Sequence, residues 1–95
     1  MSMPKKSKKP GPELLPHLRY VESLLDGNGD ITLGRVASIK CVATACDEDM
    51  QLAMLVRREG ESLVQLLTRL NTAIELAYER QHFIDEVNDG PDYSI

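Results

Sequence analysis

Residues 62–81 read SLVQLLTRLNTAIELAYERQ, and this stretch predicts the longest element of the fold. Ser62 and Gln65 have the spacing of a helix capping box, in which each side chain bonds the backbone N–H of the other residue. Apolar residues then recur at helical spacing through about Gln81, which predicts one amphipathic helix. Its apolar stripe comprises Leu63, Leu66, Leu67, Leu70, Ala73, Ile74, Ala77 and Tyr78.

The opposite side of this helix is predicted to face solvent. It carries Thr68, Arg69, Thr72, Glu75 and Glu79. Val64 and Leu76 also fall outside the apolar stripe, on this otherwise polar side. Because exposed apolar side chains on a small domain can mark a contact between subunits, we take Val64 and Leu76 as candidate interface residues.

Two segments before the helix alternate between apolar and polar residues, as strands do. One places Ala37, Ile39, Cys41, Ala43 and Ala45 on a single face, and the other places Met50, Leu52, Met54 and Val56 on a single face. Residues 47–49 form a polar turn between them, so the pattern predicts an antiparallel hairpin whose buried face receives a helix. The first segment also fits a helical period, and that alternative stays open at this point.

A shorter helix is predicted at the amino-terminal side, over residues 14–25. Leu14, Leu18, Val21 and Leu25 share one face of it, and Gly27 follows as a left-handed cap. Residues 31–33 can add a third strand. The order predicts a two-layer α+β fold: an N-terminal helix, an antiparallel hairpin with two or three strands, and a long C-terminal helix packed on one sheet face.

The composition divides the chain of 95 residues into three parts. Residues 1–13 are predicted to be a disordered basic tail, residues 14–87 one small domain, and residues 88–95 a flexible acidic tail, because both ends are poor in packing residues. Hydrophobic residues make up 42% of the chain but aromatic residues only 4%, so the core must be aliphatic.

The charge distribution separates the tail from the body. The formal net charge is −4, and setting aside the four positive charges of Lys5, Lys6, Lys8 and Lys9 leaves −8 for the remainder. An acidic body is a poor binder of nucleic acid, whose phosphates attract positive surfaces. The four lysines are therefore the candidate contacts to an anionic partner.

The sequence contains no recognisable targeting or membrane segment. No apolar run approaches the ~20 residues that a bilayer-spanning helix needs, and no hydrophobic stretch follows the first lysines. We therefore expect a soluble, cytoplasmic protein with no membrane partner. Cys41 and Cys46 are expected to remain thiols, since five positions apart in one strand they point to opposite faces.

Residues 26–32, DGNGDIT, resemble the middle of a calcium-binding EF-hand loop. In that alignment Asp26 and Asn28 take the third and fifth ligand positions, but the first position is Leu24 and the twelfth is Arg35. The loop thus lacks the bidentate carboxylate and the opening carboxylate that hold the ion. We interpret it as a helix-capping turn and expect no metal ion there.

No pattern in the sequence indicates catalysis. There is no nucleophile turn around a Ser or Cys, and no glycine-rich loop between a strand and a helix. His17 and His82 lie near opposite ends of the chain, and neither is close in sequence to Cys41 or Cys46. This spacing disfavours a zinc site. We therefore expect a protein that is not an enzyme and that uses no cofactor.

Two parts of this pattern resemble known protein families. A helix, three strands and a helix in this order are similar to a double-stranded-RNA-binding domain, in which lysines at the start of the last helix grip phosphates. Here residues 59–62 read EGES, so RNA binding is not expected. Residues 60–79 after the hairpin resemble the strand-then-helix portion of HicB-like antitoxins, without the additional strand segment and DNA-binding appendage of that family.

The leading hypothesis is a small non-catalytic module that binds proteins and self-associates as a dimer. One alternative is a nucleic-acid-associated regulator, or antitoxin-like protein, that uses the basic N-terminal tail. Another is an acidic inhibitor that mimics nucleic acid and blocks a basic partner, which follows from the charge of the body.

Overall fold

In the computed structural model, which describes residues 17–91, two helices and four strands form an α+β fold. The elements are α1 (Arg19–Asp26), β1 (Asp30–Val36), β2 (Ile39–Cys46), β3 (Gln51–Val56), α2 (Leu63–Arg80) and β4 (Ile84–Asp85). The α+β class, the N-terminal helix, the third strand and the long C-terminal helix on the sheet are all confirmed. No helix among residues 17–91 is long and apolar enough to cross a lipid bilayer.

The start of α2 is fixed by the predicted capping box. Ser62 Oγ accepts a hydrogen bond from the Gln65 backbone N–H at 3.1 Å, and Gln65 Oε1 accepts one from the Ser62 N–H at 2.8 Å. The centre of the predicted stripe is buried: Leu66, Leu70, Ala73, Ile74 and Ala77. Leu63 and Tyr78, in the first and last turns, are exposed and do not belong to the core.

The sheet has the order β1-β2-β3-β4, in which the first three strands are antiparallel neighbours. The fourth strand, β4, was not predicted; it follows α2 and pairs parallel to β3 through Ala53 and Ile84. Alanines at Ala43, Ala45 and Ala53 belong to the same core as the leucines of α2. Their small side chains let the long helix approach the sheet closely.

The predicted buried face of β3 was wrong. Ala53 and Leu55, rather than Met54 and Val56, pair with the buried alanines of β2 and lie on the face that packs against α2. Leu52 is buried as predicted, so apolar residues occur on both faces of this interior strand. A register shift at the β2–β3 turn, together with the two-sided burial, removes the simple alternation on which the prediction depended.

A two-residue turn joins β1 to β2. Val36 pairs with Ile39, and Ala37, which was predicted to lie in a strand, occupies the turn with a φ of 53°. A register shift between Gly34 and Val36 marks a bulge just before the turn. The strand interpretation of residues 37–45 is thereby confirmed over the helical alternative from Ile39 onward.

The first helix differs from its prediction in extent and in buried face. It begins at Arg19 because Asn71 on α2 accepts hydrogen bonds from the backbone N–H groups of Tyr20 and Val21, at 2.8 and 3.0 Å. A side chain of another helix thus supplies the N-terminal cap. Val21 and Leu24 are buried, whereas Leu25 is 50% exposed.

The end of α1 also differs from its prediction, and much of the two predicted tails lies outside residues 17–91. Gly27 has a φ of −92°, so the predicted left-handed cap was wrong. Leu14 and the basic tail at 1–13 lie outside the described residues, as do residues 92–95 of the acidic tail. At the start of that second tail, Asn88 donates hydrogen bonds to the carboxylate of Asp85 at 3.0 and 2.8 Å.

Candidate interaction surfaces

A cluster of charged side chains holds the start of α2 against the end of β3. The Arg69 guanidinium forms a two-pronged pair with Glu61, at 2.7 and 2.9 Å, and a second pair with Glu86 at 3.1 Å. The side chains of Arg69, Glu61 and Glu86 are only 11%, 7% and 3% exposed. The prediction that Arg69 faces solvent was therefore wrong.

The electrostatics of this cluster favour its charged state. Hydrogen bonding to the Arg69 guanidinium lowers the pKa of the Glu61 carboxyl below its ordinary value of 4.5, although partial burial acts in the opposite direction. The same hydrogen bond raises the pKa of Arg69 above its ordinary value. These paired charges stabilise the contact between the loop before α2, the helix and the segment after β4. The carboxylates of Glu61 and Glu86 are thereby occupied as hydrogen-bond acceptors.

Glu86 also closes one edge of the sheet. Its backbone N–H donates to the carbonyl of Met54 at 2.8 Å, and its side-chain Oε1 accepts from the Val56 N–H at 2.9 Å. Arg69 Nη2 donates to the Val56 carbonyl oxygen at 2.9 Å. Where β4 ends, two side chains thus complete the hydrogen bonding of β3, so this edge offers little to an incoming strand.

The other edge of the sheet is open. β1 is the terminal strand on that side, and none of its seven residues is buried. Among residues 17–91, no further strand pairs with its outer side. Leu33 in this strand is 43% exposed and is not part of the core cluster. Asp30 at one end and Arg35 near the other are exposed side chains of opposite charge.

Positive charge collects at the end of the sheet where β1 turns into β2. Arg35 and Lys40 flank that turn, and Arg57 and Arg58 follow β3 on the same side. They line an open groove of about 1000 Å³, whose other lining residues include the carboxylates Glu59 and Glu61. Arg57 is held there by its Nε, which donates to the Glu61 carbonyl at 2.9 Å.

Negative charge collects at the opposite end of the sheet. Residues 27–29, between Asp26 and Asp30, lie beside the turn at residues 47–49. Together with Tyr78 these two segments line a smaller depression of about 250 Å³. Asn28 Nδ2 donates to Glu48 Oε1 at 3.3 Å across this gap. The hairpins therefore run from an acidic end to a basic end.

The segment that resembles an EF-hand loop is followed by β1 and not by a second helix. One oxygen of Asp47 beside it already accepts from the backbone N–H groups of Asp49 and Met50, both at 2.8 Å. Among residues 17–91, no group of three or more His, Cys, Asp or Glu side chains is arranged to hold a metal ion. The segment acts as the connection that carries α1 into the sheet.

The two cysteines lie half-buried in β2 as free thiols. Cys41 packs against the core, while Cys46 is at the acidic end of the strand. Burial raises the pKa of the Cys46 thiol, and the nearby charges of Asp30 and Asp47 raise it further. A raised pKa keeps Cys46 as the thiol at neutral pH, which disfavours reactivity as a nucleophile.

The sequence-predicted interface residues do not lie together. Val64 is in the first turn of α2 and is 39% exposed, whereas Leu76 is partly buried and packs against the core. The four lysines at positions 5, 6, 8 and 9 lie outside the described residues. Sequence reasoning missed Glu86 and the edge of β1; Arg69 could have been found, because it lies three and four residues from the buried Leu66 and Ala73.

Comparisons with family models, with curated proteins and with solved structures found no match to this chain. The resemblances to double-stranded-RNA-binding domains and to HicB-like antitoxins therefore extend to the order of elements and to the helix pattern alone.

Proposed function

We propose that this protein is a small non-catalytic protein-binding module that associates with itself as a homodimer. The observation that carries the proposal is the contrast between the two edges of the sheet. On the β4 side, Glu86 and Arg69 complete the hydrogen bonding of β3 beyond the two-residue β4, whereas β1 offers the outer side of seven residues, none of which is buried. An open strand edge is a template for pairing with another chain.

A non-catalytic role is supported by the way the buried charges are used. Arg69, Glu61 and Glu86 pair with one another and with the backbone of β3, so their donors and acceptors serve the fold. We further propose that the protein acts in the cytoplasm, since free thiols at Cys41 and Cys46 suit a reducing compartment.

Sedimentation equilibrium over a micromolar concentration series tests the proposed self-association. The expected mass is twice the chain mass of 10.6 kDa, falling toward the monomer on dilution. A mass of one chain at every concentration would contradict the proposal. The method needs no label or variant. The measured mass is also independent of which surface forms the contact.

A second candidate function is the binding of an anionic polymer. The groove that contains Arg35, Lys40, Arg57 and Arg58 favours it, and the lysines of the N-terminal tail would add further positive charge. Fluorescence anisotropy with short DNA and RNA duplexes tests this function at two salt concentrations. Binding that weakens with salt, and that is lost on substitution of Arg57 and Arg58 by Ala, would support it. No binding at low salt would exclude it.

A further inference from the structure

Given the self-association proposed above, we infer that two copies join through antiparallel pairing of β1 with itself. The two-fold axis passes through Thr32, and the Asp30 end of each strand lies against the Arg35 end of the other. The occupant of the open edge is thus a second copy of this chain. Two four-stranded sheets become one continuous sheet with its open edges paired.

The regular part of β1 sets the register. Residues 30–34 pair without interruption with residues 42–46 of β2, and the bulge follows at Gly34. The extra residue of that bulge lies in β2, where Lys40 and Cys41 stand opposite Arg35 alone, and a bulge ends regular pairing. Residues 30–34 are therefore the regularly paired part of β1 that we place against a second copy. Centred on Thr32, this segment places Ile31 of each copy opposite Leu33 of the other.

The resulting cross-strand pairs are apolar. Ile31 and Leu33 pair with the buried Ala45 and Ala43 of β2, so they lie on the sheet face that packs against α2. Two Ile–Leu pairs related by the two-fold axis would cover the exposed side of Leu33. Apolar pairs between neighbouring strands stabilise a sheet, and here each pair occurs twice.

Charge selects the antiparallel orientation. Asp30 and Arg35 form no ion pair with another residue among 17–91, and both are exposed. In the proposed register Gly34 lies opposite Asp30 of the second copy, and Arg35 lies one residue beyond. The two charges therefore share one end of the interface, although successive side chains of a strand point to opposite faces of the sheet. The acidic Asp26–Asp30 segment of each copy thereby approaches the basic end of the other. A parallel arrangement would place like charges together, which is unfavourable.

The exposed apolar residues of α2 form the competing surface. Leu63 and Val64 lie in its first turn, but the backbone of a helix already satisfies its own hydrogen bonds. Leu76, the other residue on that side, already packs against the core. The β1 edge, by contrast, presents unpaired backbone groups, apolar side chains and complementary charge in one strand.

Leu33→Glu tests the inference, with Leu63→Glu as its matched control. The two leucines are 43% and 44% exposed, so the same substitution perturbs each side chain to a similar degree. Because each substitution occurs twice in a two-fold interface, Leu33→Glu should raise the dimer dissociation constant about tenfold or more, while Leu63→Glu leaves it nearly unchanged. Urea unfolding of both variants checks that each remains folded.

Charge reversal gives a second test that does not depend on Leu33. Asp30→Arg and Arg35→Asp should each weaken the dimer, and the double variant should restore it in part, because the other charges at each end are unchanged. Added salt should weaken the wild-type dimer but strengthen each single variant, because screening removes attraction in the first case and repulsion in the second.

The outcomes separate the inference from the proposed function. A dimer that is insensitive to Leu33→Glu and to both charge reversals, but is lost on Leu63→Glu, would overturn the β1 interface and leave self-association in place. A wild-type chain that is monomeric throughout would overturn both.

Discussion

Arg69 on α2 and Glu86 after β4 form an ion pair of 3.1 Å between Nη1 and Oε2, although they are 17 positions apart in the chain. Glu61 completes the cluster from the other side of Arg69. One guanidinium therefore connects the loop before α2, the helix itself and the segment after it. This makes the cluster the link between the long helix and the closed edge of the sheet.

Replacement of Arg69 by Met should lower the free energy of unfolding by about 3–5 kcal/mol, because the buried carboxylates of Glu61 and Glu86 lose their main partner, while Arg58 still lies 3.7 Å from Glu86. Arg80→Met is the matched control, since Arg80 is exposed in the last turn of the same helix. It should change stability by about 1 kcal/mol or less. Urea unfolding measures both, and equal losses would mean that the cluster contributes nothing beyond ordinary surface charge.

The stability should also depend on pH through Glu61. Its pKa is lower in the folded chain than in the unfolded chain, so its contribution is present above the ordinary value of 4.5 and is lost as the pH falls through the folded value. Glu61→Gln should therefore reduce stability at neutral pH and flatten its decline from about pH 7 to about pH 3. Urea unfolding across that pH range measures the decline.

The Arg69→Met background provides the control for this pH dependence. Without the guanidinium, Glu61 has lost the main cause of its lowered pKa. Adding Glu61→Gln to Arg69→Met should then leave the slope against pH nearly unchanged. An equal change of slope in both backgrounds would assign the pH dependence to another group.

Of the two glycines between α1 and β1, Gly29 should lose more stability on substitution by alanine. A Cβ atom there would collide with the side chain of the buried Leu24 and lie 2.9 Å from the carbonyl oxygen of Cys46. Gly29→Ala should cost about 1–3 kcal/mol of stability through overpacking. Thermal or urea unfolding gives the value.

Gly27→Ala is the control for that substitution. A Cβ atom at Gly27 meets only backbone oxygens, at the ordinary contact distances of 3.6 and 3.7 Å. Alanine there should cost less stability than alanine at Gly29, because no neighbouring side chain has to move. If both variants lose the same stability, close approach at Gly29 is not the reason for its glycine.

Leu70 should be a centre of the core. It is fully buried on α2, and truncation to Ala should cost about 2–5 kcal/mol from lost transfer energy and the cavity left behind. Leu63→Ala, on the same helix but exposed, should cost much less. Similar losses in urea unfolding would mean that α2 does not bury the face described above.

The fold was predictable from local periodicity, and the errors arose where distant residues decide. The capping box at Ser62 and the buried centre of α2 follow from spacing alone. The cap that Asn71 provides to α1 joins residues about fifty positions apart, and no local pattern indicates it. Strand β4 has only two residues and leaves no periodicity to detect.

The interaction surfaces were predicted less well for a related reason. Val64 and Leu76 were chosen because they leave the stripe, but Leu76 still reaches the core from its side of the helix. An open sheet edge is a property of strand order, and the order became visible only with β4 on the far side. Leu33, within the predicted third strand, could not be identified as an edge residue before that order was known.

The most direct measurement of the central claim is an isotope-filtered nuclear Overhauser experiment on a dimer that mixes labelled and unlabelled chains. The filter reports only proton pairs that belong to different copies. We expect contacts between Ile31 of one copy and Leu33 of the other. Intermolecular contacts from Leu63 and Val64 on α2, with none from residues 30–35, would contradict the claim.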